Sequence, residues 1–199
     1  AKAHGAALGP DEVAATKVVL GLDPTRSFDV SDAVLAHARQ VSDRGAHLHA
    51  EWDITFTAWR HSHPQQARLL DRLLARELPD GLPEALPQFE AGTSIATRAA
   101  SGHVINAIAG VMPEFWGGSA DLAESNNTTI IDGLSFLPAG TGARDASPYG
   151  RIIHFGIREH AMGAILNGIA LEGLTRPFGG AFLVFSDYMR GSVRLAALM

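Results

Sequence analysis

Cysteine is absent from the 199 residues, which excludes a disulfide framework and any thiolate-bound metal. Basic charge is also scarce. Lys and Arg number 16 against 21 Asp and Glu, and a formal net charge of -5 is the wrong sign for a nucleic-acid partner. No apolar run approaches the roughly 18 residues that a membrane-spanning helix needs. The opening AKAHGAALGPDE lacks the apolar core of a secretory signal. Together these absences predict a soluble, cytoplasmic protein with no membrane partner. An initiator Met is missing as well, and the closing VRLAALM reads as the middle of an apolar helix, so both ends are expected to be cuts. Low complexity and internal repeats are absent too. What remains is ordinary globular material, 46% apolar and 19% charged, well outside the disordered range.

The order of elements divides the chain. Pro10, Asp11 and Glu12 open a helix that Gly21 closes. A second helical stretch runs from about Ser31 to Trp59, with a possible break at Gly45, and Pro64 opens a third through Leu78. PDGLPEALP then carries Pro79, Gly81, Pro83 and Pro87, which reads as a linker. Beyond it, Thr93 to Ala109 reads as a helix ended by Gly110 and Pro113, and FWGGSADL as a strand entering a turn. Residues 126–150 read as an irregular loop. RIIHFGI is expected as a strand, REHAMGAILNGIALEG as a helix, RPFGGAFLVFS as a strand and DYMRGSVRLAALM as a helix. Such alternation predicts an α/β fold with a parallel sheet. The expected plan is a helical connector over residues 1–88 and a partial α/β domain over 89–199.

Arg158, Glu159 and His160 follow an apolar strand and open an otherwise apolar helix. In open α/β sheets ligands bind beyond the carboxyl ends of strands, so Glu159 is placed to face a crevice. The same position also suits a plain first-turn carboxylate complementing the helix dipole. Phe182, Phe185 and Tyr188 recur every three residues at the end of the next strand. They read either as core or as a slot for a flat heteroaromatic ring. The pairs His47/His49 and His61/His63 lie at i, i+2 on a helix, where neither pair chelates easily.

GIREHAMGAILNGIALEG followed by FLVFSDYMR resembles the pyrimidine-binding domain of transketolases, and ATRAASG and GGSADLAESN precede it in the family's order and spacing. HGAALG near the start resembles the family's His-Gly motif, with Ala7 where the family usually has Pro. The resemblance implies thiamine-diphosphate-dependent transfer of a two-carbon ketol unit between sugar phosphates, in the pentose phosphate pathway. It implies that Glu159 hydrogen-bonds N1′ of the cofactor's aminopyrimidine and exchanges a proton there. Phe182, Phe185 and Tyr188 would hold that ring, and Asp121 would lie near the thiazolium and the subunit contact. Arg98 and Ser125 would bind the sugar phosphate, Arg98 through its planar fork. His4 would sit beside the cofactor and the reacting carbons as a proton shuttle.

The chain has no Gly-Asp-Gly segment of the kind that holds the diphosphate and its divalent metal, Mg or Ca, so those ligands are expected outside it. The resemblance further implies a homodimer with active sites at the subunit interface, and a segment that is inactive alone. Another thiamine-diphosphate enzyme, similar to a deoxyxylulose-phosphate synthase, and a non-catalytic module of the same fold are the alternatives. Arg98 and Ser125 favour a transketolase over the first, and Glu159 with its aromatic set speaks against the second.

Overall fold

The computed structural model describes residues 4–143 and 145–199. By contacts the chain forms two compact units, Ala1–His63 and Pro64–Met199. The first is helical: α1 spans Pro10–Val19 and α2 spans Asp32–Ser62. Ser31 caps α2, its Oγ accepting from Val34 N at 3.4 Å. The break expected at Gly45 does not occur. A glycine inside a helix costs about 1 kcal/mol, and the intact turns on either side absorb that in a 31-residue helix. Along one face Trp52 stacks on Phe56 at 4.5 Å and Phe56 on Trp59 at 5.7 Å. His47 and His49 pair with Glu51 and Asp53 one turn on, at 3.4 and 3.0 Å.

The second unit opens with α3, Pro64–Leu74, and the one-turn α4, Leu82–Ala85. Next come α5, Thr97–Val111, and the strand β1, Phe115–Ser119. The expected stop at Gly110 is overrun. Pro113 ends the helix by forcing Met112 into an extended conformation, φ -119° and ψ 93°. Arg151 Nη1 caps this end, donating to Ala109 O at 2.9 Å and Met112 O at 3.2 Å.

The one-turn α6, Ala123–Asn126, is followed by two-residue strands β2, Ser135–Phe136, and β3, Ala146–Ser147. These lie in the stretch expected to be all loop. Strands this short carry no periodicity, so only their tertiary pairing reveals them. Then come β4, Ile152–His154, helix α7, Glu159–Glu172, and β5, Arg176–Gly180. A 3-10 helix over Leu183–Met189 leads into α8, Arg190–Leu198. The strand expected through Ser186 therefore ends six residues earlier, at Gly180.

All five strands pair in parallel in the order β3-β2-β4-β1-β5, as an α/β reading requires. Strand β1, between β4 and β5, carries Gly117 and Gly118. A Cβ on Gly117 would lie 1.9 Å from Phe178 O, and one on Gly118 would lie 2.0 Å from Ile153 O. Ile105, Ala109, Ile130 and Ile152 form a core with Phe115 and Phe178 packed against it, and Ala120, Phe155 and Met162 form another. Where α7 meets α8, a Cβ on Gly163 would come within 2.2 Å of Ser192 Oγ, and Asn167 Nδ2 donates to Ser192 O at 2.8 Å.

Glu114, just ahead of β1, is tied to α3 by a bidentate ion pair. Arg72 Nη1 and Nη2 donate to its two carboxylate oxygens at 2.7 and 2.9 Å. Burial pushes the Glu114 carboxyl up, but the hydrogen bonds from Arg72, with the charges of Arg72 and Arg176, outweigh it and hold the group below its ordinary value. A depressed carboxyl stabilises the fold above its unfolded-state value, and the contribution fades as pH falls through the folded value. Glu114→Gln should therefore cost about 3 kcal/mol in urea unfolding at neutral pH. The gap from the parent chain should narrow as the pH is lowered below about 4, and a constant gap across that range would refute the assignment.

Candidate functional site

The carboxyl ends of β1, β4 and β5 converge on one side of the sheet, and the polar residues gather there. Ser119, the last residue of β1, donates from Oγ to Gly180 O at 3.0 Å and accepts from Asn126 Nδ2 at 3.3 Å. This buried bridge ties the end of β1 to the end of β5 and to α6. It fixes the turn from β1 into α6, which carries Asp121, and α6 itself, which carries Ser125. Asp121 has φ 61°, in the left-handed region where Asp is tolerated and branched or bulky side chains are strained.

Glu159 is the first residue of α7 and only 9% exposed. Its position at the helix N-terminus favours negative charge. A cleft of about 420 Å³ opens over it, lined by Ala120, Asp121, Leu122, Ile157, Phe185 and Tyr188. The aromatic residues reach it from the 3-10 helix and not from a strand. With about three residues per turn, a spacing of three puts successive side chains on the same side. Phe182 and Phe185 have ring centroids 6.0 Å apart, and Phe185 and Tyr188 5.9 Å apart, with tilts of 39° and 37°. Apolar walls, two rings and a buried carboxylate at the edge are the donor set a flat, weakly basic heteroaromatic ring requires.

Asp121, Ser125 and Arg98 line two further clefts of the second unit. Asp121 also borders a second, more polar cleft of about 460 Å³, together with Ser119, Ser125, His154 and Arg158. Arg98 and Phe182 line a third, of about 740 Å³, with Ser101, Asn126 and Thr128. Phe182 thus belongs to the ring ladder yet opens onto the Arg98 side. His4 belongs to the first compact unit, where it is an exposed residue ahead of α1. Among the described residues no group of three or more His, Asp or Glu is arranged to hold a metal ion.

Sequence reasoning passed over His154 and the Ser119–Asn126 bridge. Nothing local marks His154. Its one sequence signal is its place as the last residue of a strand that runs into Arg158-Glu159-His160. Arg158 folds back over Gly156, its Nη1 donating to Phe155 O at 3.1 Å.

Comparison with known proteins places this architecture. Residues 93–199 match the family model described as transketolase, pyrimidine binding domain, and residues 1–79 the one described as transketolase, thiamine diphosphate binding domain. The chain belongs to the transketolase family. It is 56% identical to the transketolase of Mycobacterium tuberculosis over 201 residues, covering 100% of this chain and 29% of that protein. The transketolase of Geobacillus stearothermophilus is 48% identical, with 98% and 28% covered. A crystal structure of Pichia stipitis transketolase in complex with sedoheptulose 7-phosphate superposes with a TM-score of 0.86 at 38% identity, covering 96% of this chain and 28% of that one. Transketolase from Leishmania mexicana superposes at 0.87 with 37% identity, covering 99% and 28%. The chain therefore spans somewhat over a quarter of the length of its relatives.

The left-handed backbone at Asp121 generates a test. Asp121→Gly should leave stability within about 0.5 kcal/mol, whereas Asp121→Val should lose about 1–2 kcal/mol because a branched side chain is forced into the same conformation. Equal losses in chemical denaturation would show that the turn does not depend on this conformation.

Proposed function

We propose that this chain forms the pyrimidine-side half of a transketolase active site. The whole protein would transfer a two-carbon ketol unit from a ketose phosphate to an aldose phosphate, using thiamine diphosphate. The observation that carries the reading is the cleft over Glu159, where a buried carboxylate at a helix start meets the rings of Phe185 and Tyr188. The residue set suits the aminopyrimidine part of the cofactor. When bound, that cofactor supplies the electron sink for breaking a carbon–carbon bond beside a carbonyl.

In this reading Glu159 holds a proton between its carboxyl and N1′ of the aminopyrimidine, and the apolar walls keep water from competing for it. Phe182, Phe185 and Tyr188 set the ring's plane, each aromatic pairing adding about 0.5–1.5 kcal/mol beyond area burial. Asp121, at the rim shared by two clefts, orients the cofactor near the subunit contact. Arg98 grips the sugar phosphate and Ser125 adds a hydroxyl donor, each from the cleft it lines. His4 exchanges protons with the reacting hydroxyls. The diphosphate and a divalent ion, magnesium or calcium, would be held by residues outside this segment.

We assign the enzyme to the cytoplasm and the pentose phosphate pathway, as a homodimer with its active sites at the interface. Residues 1–88 serve as the connector and 89–199 as the first part of the pyrimidine-binding domain.

Two measurements test the proposal. In the full-length enzyme, Glu159→Gln should lower kcat by about 10²–10⁴-fold, the usual reach of general acid–base catalysis, with little change in cofactor affinity. Near-parental turnover at saturating thiamine diphosphate would overturn the role. The 199-residue chain by itself should bind magnesium and thiamine diphosphate weakly in calorimetry. Ring burial and stacking contribute only a few kcal/mol, while micromolar affinity needs about -8.2 kcal/mol. Tight, metal-dependent binding would place a diphosphate site within these residues.

A further inference from the structure

A serine, an aspartate and a histidine meet where β2, β3 and β4 join. Ser135, only 2% exposed, pairs in register with Ala146 of β3 and Ile152 of β4. Its Oγ hydrogen-bonds Asp145 Oδ2 and lies 2.9 Å from His154 Nε2. Despite the residue types, this is not a nucleophilic triad. The carboxylate sits on the serine instead of the histidine, and the hydroxyl is buried, so no attacking group faces a substrate.

The hydrogen count gives the trio a different meaning. Ser135's hydrogen bond is the main influence holding the Asp145 carboxyl below its ordinary value, so Asp145 is ionised near neutrality and only accepts. A hydroxyl has a single proton, and here it goes to Asp145. Ser135 Oγ can then only accept from the ring, so His154 Nε2 carries hydrogen. In the neutral imidazole that leaves Nδ1 with its lone pair free to accept.

His154 ends β4 with its side chain exposed, and it lines the polar cleft beside Ser119, Asp121, Ser125 and Arg158. The cleft's other polar side chains are hydroxyls, a guanidinium and the carboxylates of Asp121 and Glu124, and His154 adds to them a neutral acceptor whose direction is set by its bond to Ser135. We propose that His154 is a substrate-contacting residue of this cleft, held by Ser135 and Asp145 so that its Nδ1 accepts a hydrogen bond from a hydroxyl of the sugar. Ser135 and Asp145 are positioning residues. The inference rests on reading the Ser125 cleft as the place where sugar phosphate binds.

The test uses steady-state kinetics of the full-length enzyme with a phosphorylated aldose acceptor and with its unphosphorylated counterpart. His154→Gln keeps a donor that reaches Ser135 but has no acceptor at the Nδ1 position. His154→Asn has the reverse. His154→Gln should raise the acceptor KM about tenfold, the effect of one lost hydrogen bond, with kcat within about threefold. The same factor should appear with the unphosphorylated acceptor, because the contact is to a hydroxyl. His154→Asn should recover part of the loss, and Ser135→Ala should give an intermediate rise by freeing the ring.

A KM within twofold of the parent for His154→Gln, or a rise confined to the phosphorylated acceptor, would overturn the contact. Ser125→Ala, run alongside, separates the two levels. A KM rise with Ser125→Ala and none with His154→Gln removes the His154 contact alone. No rise with either removes the reading of the cleft as well.

Discussion

The close approach of backbones on both sides of β1 governs the rest of the second unit. With Gly117 and Gly118 in β1, no side chain stands between this strand and its neighbours β4 and β5, and a Cβ at either position would collide with a neighbouring carbonyl. The three strand ends are thereby brought together within one small area. The loop after β1, the start of α7 and the 3-10 helix after β5 all leave from that area. Each contributes to the clefts: Asp121 from the first, with Ser125 just beyond it in α6, Glu159 from the second, Phe185 and Tyr188 from the third. A side chain at either glycine of β1 would push a neighbouring strand away and shift these exits.

Rigidity is supplied by a few polar links, those of Glu114 and Ser119 partly buried. Arg72 anchors α3 on Glu114 directly ahead of β1, and Arg176 Nη2 donates to Arg76 O at 2.8 Å from the adjacent strand. Ser119 joins the far ends of β1 and β5. Polar bridges in a low-dielectric interior are strong when every member is satisfied and costly when one is lost. Strand β1 is therefore tied at both ends, while Gly117 and Gly118 between them are held by backbone pairing. Such an arrangement suits a site whose side chains must hold their positions without crowding the space between them.

Much of this was legible in the sequence because it depends on local periodicity. The β4–α7 passage announces itself as an apolar run followed by three polar residues and a small-residue helix. Glu159 stands out for that reason. The stretch from Phe182 to Tyr188 misleads, because a run of apolar residues looks the same whether the backbone is extended or wound. The glycine pair at 179 and 180 was the available sign that β5 stops. At Gly45 the local signal was overruled by the length of α2. At Gly110 it was overruled by Pro113, three residues on. The meeting of Ser135, Asp145 and His154 had no local sign, since residues up to 19 positions apart are joined only through strand pairing.

The winding of the aromatic segment constrains how the gene encoding it can vary. In a 3-10 helix one residue corresponds to a rotation of roughly 120°. An insertion or deletion between Phe182 and Tyr188 would carry the ring beyond it a third of the way round the axis and out of line with the others. Leu183, Val184 and Asp187 are exposed and free to exchange for residues of other character. The spacing has no such freedom. Codons in this stretch can therefore drift in content while their number stays fixed, whereas the loop over residues 137–143 has room for insertions.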